Sequence, residues 1–141
     1  MGSGPAPSRP PPPPPPTNAI PEASRAGNII FFARYSNPPD SWLGHIWISI
    51  ESVGTYGFYP GGIRDDGATP SDLKYLRFRE KAQLNRAVDV LRAYNSRSYN
   101  LITHNCIKLC EEAARATWLN ATSGLGKNPA QWIADLAIAN L

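Results

Sequence analysis

The run YNLITHNCIKLCEEAARATW (Tyr99 to Trp118) sets a thiol directly behind an asparagine, where apolar residues begin to recur at helical spacing. Asn105 suits the N-cap position, because its side-chain oxygen can take one of the orphan N–H groups of a first helical turn. Cys106 then falls at the first helical position. The positive end of the helix dipole favours an anion there, and thiolate is the nucleophilic form of cysteine. The backbone N–H groups of that turn also suit a developing oxyanion, which makes Asn105 an oxyanion or orienting candidate beside the thiol. This chemistry is nucleophilic, and it needs a base.

The chain has two histidines, His45 and His104. His45 lies at the start of an expected strand, behind Gly44. His104 stands two residues before Cys106 and points away from it if Asn105 caps the helix. His45 is therefore the expected general base and His104 the alternative. No histidine or aspartate occupies the next strand to orient the ring. Ser49, Thr55 and Tyr56 are the polar candidates, of which Tyr56 is taken here, with a two-residue Cys–His dyad as an equal possibility. Cys110, one turn further on the apolar stripe, fits core packing. The Asp65-Asp66 pair reads as a solvated turn.

Two other functions fit some of the same residues. His104, Cys106 and Cys110, with His45 brought in by folding, would supply a Cys₂His₂ set for structural zinc, although His-x-Cys-x₃-Cys is not a usual zinc spacing. Trp42, Trp47, Tyr56, Phe58 and Tyr59 would line an aromatic groove in a non-catalytic binding module, unless they face the core. The favoured reading expects no metal. It expects no organic cofactor either, since the glycines lack phosphate-loop spacing.

These side chains need elements to hold them. The run NIIFFARYS (Asn28 to Ser36) is strongly β-prone and is followed by the turn cluster NPPD. In WLGHIWISIE (Trp42 to Glu51), strand geometry puts His45, Trp47 and Ser49 on one face and Ile46, Ile48 and Ile50 on the other. SVG turns the chain into TYGFYP, giving a hairpin. The polar run GGIRDDGATPSD is expected as a loop, and LKYLRFR (Leu73 to Arg79) as a fourth strand. Helices follow over Glu80 to about Asn95, from Cys106, and from Pro129 behind an Asn128 N-cap. On the second helix the stripe Ile107, Cys110, Ala113, Ala114, Thr117 and Trp118 should face inward, with Glu111, Glu112 and Arg115 turned away. The fold class is α+β, an antiparallel sheet of about four strands packed on two or three helices.

At 141 residues the chain has room for one core. Residues 1–27 are rich in proline, with an unbroken run from Pro10 to Pro16, and are expected as a disordered, semi-rigid linker. The domain is expected over 28–141. Net charge is +3 with both signs interspersed, and no basic run interleaved with aromatics points to nucleic acid. No apolar run approaches the ~20 residues of a membrane span. The N-terminus lacks the pattern of a secretion signal. The expected location is cytoplasmic, or exported by a dedicated apparatus.

The motifs GHIWISI, TYGFYP, YNLITHNC and NPAQWIADL together resemble the circularly permuted papain-like group, in which the histidine strand precedes the cysteine helix. Tyr-Asn-Leu-x-Thr-x-Asn-Cys is similar to the PPPDE (deSUMOylating isopeptidase) branch. Asn-Cys is similar to the lecithin retinol acyltransferase branch, and Gly-His-x-Trp with Tyr-Gly-Phe-x-Pro to bacterial permuted NlpC proteins. Ile107-Lys108 stand where acyltransferases carry Glu-His, which points away from lipid acyl transfer. The resemblance implies a permuted papain-like domain with Cys106 as nucleophile and His45 as general base. It implies a thiol hydrolase of the amidase or peptidase kind, most simply a bacterial effector or toxin acting on cell-wall peptides. A deubiquitinase-like isopeptidase acting on protein conjugates is the alternative. A peptide or peptidoglycan substrate is the implied partner, and an immunity or carrier protein a possible one.

Overall fold

A computed structural model describes residues 19–36, 44–100 and 105–141. The described residues form five strands: β1 (Gly27–Arg34), β2 (His45–Ile50), β3 (Gly54–Tyr59), β4 (Gly62–Asp65) and β5 (Leu73–Arg79). Three helices follow: α1 (Lys81–Tyr94), α2 (Cys106–Ala116) and α3 (Pro129–Ala139). Every strand pair is antiparallel, and the sheet order is β4-β3-β2-β1-β5. The class is α+β, with five strands where about four were expected.

The additional strand is β4, inside the stretch expected as loop. Gly61 and Gly62 take positive φ values (105° and 120°), which turn the chain back after Tyr59. Ile63 then lies opposite Phe58 and is fully buried.

Strand alternation sorts the core. Ile29, Phe31 and Ala33 of β1 lie opposite Ile50, Ile48 and Ile46 of β2, and all six are buried. The helices cover this face: Trp132 of α3 meets Phe31 edge-on at 5.8 Å, and Tyr94 of α1 meets Phe58 at 5.1 Å. Each helix starts on a cap. Glu80 with Gln83 and Asn128 with Gln131 form capping boxes, and Pro129 occupies the first turn of α3.

Two expectations for α2 are corrected. Trp118 does not join the core. The helix ends at Ala116, Trp118 swings to φ 64°, and its N–H and that of Leu119 close back on Arg115 and Ala114. This Schellman closure buries Leu119 and leaves Trp118 68 % exposed. Glu111, expected to face outward, is 2 % exposed. Lys108 Nζ at 3.2 Å, Arg115 Nη1 at 2.5 Å and the Gly124 N–H at 2.9 Å compensate its buried carboxylate.

The folded part also begins earlier than Asn28. Ile20 and Ala23 are buried in the same core, the Ile20 carbonyl accepts from Arg92, and the Ala23 N–H donates to Asn85. The proline run Pro10–Pro16 lies outside the described residues. Among the described residues, no helix is long and apolar enough to cross a membrane.

Candidate active site

Asn105 caps α2 as its residue type suggests. Its Oδ1 accepts from the Lys108 N–H at 2.8 Å, and its extended backbone (φ −122°, ψ −175°) leads into the helix. The oxygen is thereby committed to the cap. Cys106 occupies the first helical position, where N–H groups are left without intrahelical partners.

The His45 ring lies beside this thiol, close enough for Cys106 to raise its pKa. On its other side, His45 Nε2 lies 3.1 Å from Asp66 Oδ2 and 2.8 Å from the Tyr59 hydroxyl. Tyr59 donates its own proton to Asp66 Oδ1 in a short hydrogen bond. Trp47 stacks on the imidazole at 5.2 Å and in turn on Phe32 at 5.6 Å, which fixes the ring plane from one side.

Electrostatics follow from this arrangement. Burial by itself would lower the His45 pKa. The hydrogen bonds to Asp66 and Cys106, with the negative charge that each brings, outweigh burial and raise it to about 9. His45 is thus held as imidazolium at neutral pH. The Tyr59 hydroxyl is pushed well above its usual range, first by burial and then by Asp66, and stays a donor. Burial also pushes Tyr99 up to about 12, with a further contribution from the charge of Cys106.

Backbone room makes the cluster possible. A β-carbon at Gly57 would overlap Asp66 Oδ2 and lie 3.0 Å from His45 Nε2. Gly57 is the vacant space into which the carboxylate and the ring meet.

Of the residues expected at the site, the fold brings His45, Asn105 and Cys106 together. Tyr56 belongs to the buried core cluster and comes close to Gly54, and the groups on the ring are Tyr59 and Asp66. Asp66 is 8 % exposed, so the Asp65-Asp66 pair is not a solvated turn; Asp65 alone faces out. The signal for Tyr59 lies in the hairpin. The observed pairs Ile50↔Gly54, Ser49↔Thr55 and Ile48↔Tyr56, carried on in register, set Tyr59 opposite His45.

Cys110 is sealed in the core, and burial raises its pKa well above the ordinary thiol value. Among the described residues no three His, Cys, Asp or Glu side chains group so as to hold a metal ion; His104, a member of the expected zinc set, lies outside the described residues. Trp47 and Phe58 are each 1 % exposed, which leaves no open aromatic groove between them; Trp42 also lies outside the described residues.

Beside the thiol opens a cavity of about 860 Å³, lined by Cys106, Ile107 and Lys108 of α2, by Gly44 and Tyr99, and by the segment 123–129. The chain matches no protein family, no curated protein and no solved structure.

Proposed function

We propose that the protein is a cysteine hydrolase that cleaves an amide or isopeptide bond through a thioester on Cys106, on a permuted papain-like frame. One observation carries the proposal: a single imidazole, His45, lies between a thiol at a helix start and the pair of buried Asp66 and half-buried Tyr59. A structural histidine needs no such thiol, and a packing cysteine needs no such base.

The chemistry runs in two halves. Cys106 Sγ attacks the scissile carbonyl and forms the S–C bond, while its proton resides on His45. The oxyanion is met by N–H groups at the start of α2. The imidazolium then passes its proton to the leaving nitrogen, the C–N bond breaks, and a free amine departs. Water attacks the thioester with His45 as base, releasing the carboxylic acid and restoring the thiol. Asp66 and Tyr59 hold the ring throughout and stabilise its cationic form whenever it carries the proton.

The chain-order resemblance to permuted NlpC proteins favours a cell-wall peptide as substrate, with protein isopeptide conjugates as the alternative. The test is release of muropeptides from purified sacculi and of free modifier from ubiquitin-like conjugates. Activity in the wild type that vanishes in Cys106→Ala and His45→Ala supports the proposal. Inertness toward both substrates, or full activity of Cys106→Ala, sinks it.

A further inference from the structure

The cavity beside Cys106 is lined on one side by a segment whose position is fixed by four separate contacts. The Gly124 N–H donates to buried Glu111 at 2.9 Å, and Arg115 Nη2 holds the Ala121 carbonyl at 2.9 Å. Trp132 Nε1 holds the Thr122 carbonyl at 3.0 Å, and Lys127 Nζ holds the Thr122 hydroxyl at 2.9 Å. Gly124 lies so close on α2 that a β-carbon there would overlap Ile107. A loop of this kind is a wall. At its turn, closed by the Lys127 N–H on the Gly124 carbonyl, Leu125 lines the cavity with 72 % of its surface open to solvent.

The direction of the cavity decides what enters it. His45 delivers the proton to the leaving nitrogen, so the amine half of a substrate lies on the His45 side. Most of the cavity's lining lies on α2, the segment 123–128 and the start of α3, with Gly44 the lining residue next to His45. The acyl half, which stays bonded to Cys106 Sγ, is the half assigned to this lining. Ile107, Leu125 and Pro129 offer it apolar surface. Its charged lining residues are Lys108 and Lys127 against Glu111, an excess of one cation.

We infer that the Thr122–Lys127 loop is the specificity wall of this site, presenting Leu125 to the acyl half of the substrate and selecting an uncharged, apolar residue over a basic one beside the scissile carbonyl. The inference rests on Cys106 as the nucleophile. Side-chain selection of this sort by apolar contact is worth roughly 10- to 200-fold in rate.

Peptidyl vinyl sulfones with Leu or Lys nearest the reactive group, used on the full chain, separate the two readings. The rate of Cys106 labelling by each is divided by the rate with iodoacetamide in the same protein, read by intact mass. The expected result is a Leu-over-Lys preference of about tenfold or more in the wild type, falling to within about threefold in Leu125→Ser. Rapid iodoacetamide labelling of Cys106 with no Leu preference, or with a preference that survives Leu125→Ser, overturns the wall and leaves the hydrolase standing. A Cys106 inert to iodoacetamide overturns both.

Discussion

Gly57, inside β3, and Asp66, just past the end of β4, lie so close that the absence of a side chain at the first is the condition for the second to reach His45. In Gly57→Ala the new methyl group displaces the carboxylate, since the Asp66 side chain yields more easily than the backbone. A displacement of about 1 Å in such a group costs on the order of 10²-fold in rate. Hydrolysis by Gly57→Ala should fall by that order while circular dichroism stays native. An unimpaired rate would show that Asp66 has no bearing on the reaction.

The two thiols should differ sharply. Cys110 is fully buried with its pKa driven up by that burial, whereas Cys106 lines an open cavity. Alkylation of the native protein should mark Cys106 and spare Cys110 until the domain unfolds, as read by peptide mass spectrometry. His45→Ala should slow the labelling of Cys106 at neutral pH. Equal labelling of both cysteines would place Cys106 with the packing residues.

Stability should depend on pH through His45. Its pKa rises from 6.5 in a free chain to about 9 in the fold, so the protonated form is the one the fold favours. That stabilisation is complete below pH 6.5 and is lost as pH rises through about 9. The difference is on the order of 3 kcal/mol. Denaturant midpoints should fall between pH 6.5 and 9 in the wild type, and the slope should flatten in His45→Ala. A wild-type midpoint that is flat across this window would contradict the ion pairing.

Asp66→Asn removes the carboxylate that hydrogen-bonds to the ring while leaving the ring buried. The His45 pKa should then move down from about 9, because burial opposes the cation with less to offset it. Proton NMR of the imidazole resolves the shift. A titration unchanged from the wild type would assign the raised value to Cys106 alone.

Ile20 lies outside the expected domain yet is fully buried. Ile20→Ala should destabilise the fold by about 2–4 kcal/mol through the cavity it leaves. Equilibrium unfolding measures this, and a change under about 0.5 kcal/mol would return residues 19–26 to the linker.

The parts of this structure that were legible from sequence are those with local causes. Asn105 and Asn128 announce their helices by cap chemistry, and Leu84, Ala87, Val88, Leu91 and Tyr94 by a 3.6-residue period; all five line the buried side of α1. His45 and Cys106 were visible for the same reason, as residue types at element starts. Asp66 was not. It is 21 residues from His45, in a polar stretch where a four-residue strand leaves little periodic signal, and only the pairing of β4 on β3 returns it to the ring. The Gly61-Gly62 turn followed by Ile63 was the available hint of a second hairpin. Glu111 escaped for a related reason, because its partners Gly124 and Arg115 neutralise a charge that a helical wheel turns outward.

The contact of Ile20 with Arg92 also has a mechanical side. Arg92 Nη2 and Nε both grip the Ile20 carbonyl, at 2.6 Å and 3.0 Å, and Asn85 grips the Ala23 N–H at 2.6 Å. A pull on the chain ahead of residue 19 is therefore taken up by α1 before it reaches β1, the inner strand that pairs with both β2 and β5. The strand carrying His45 is shielded from such a pull by a clamp on α1, so that a load ahead of residue 19 and the His45–Asp66 geometry are kept apart.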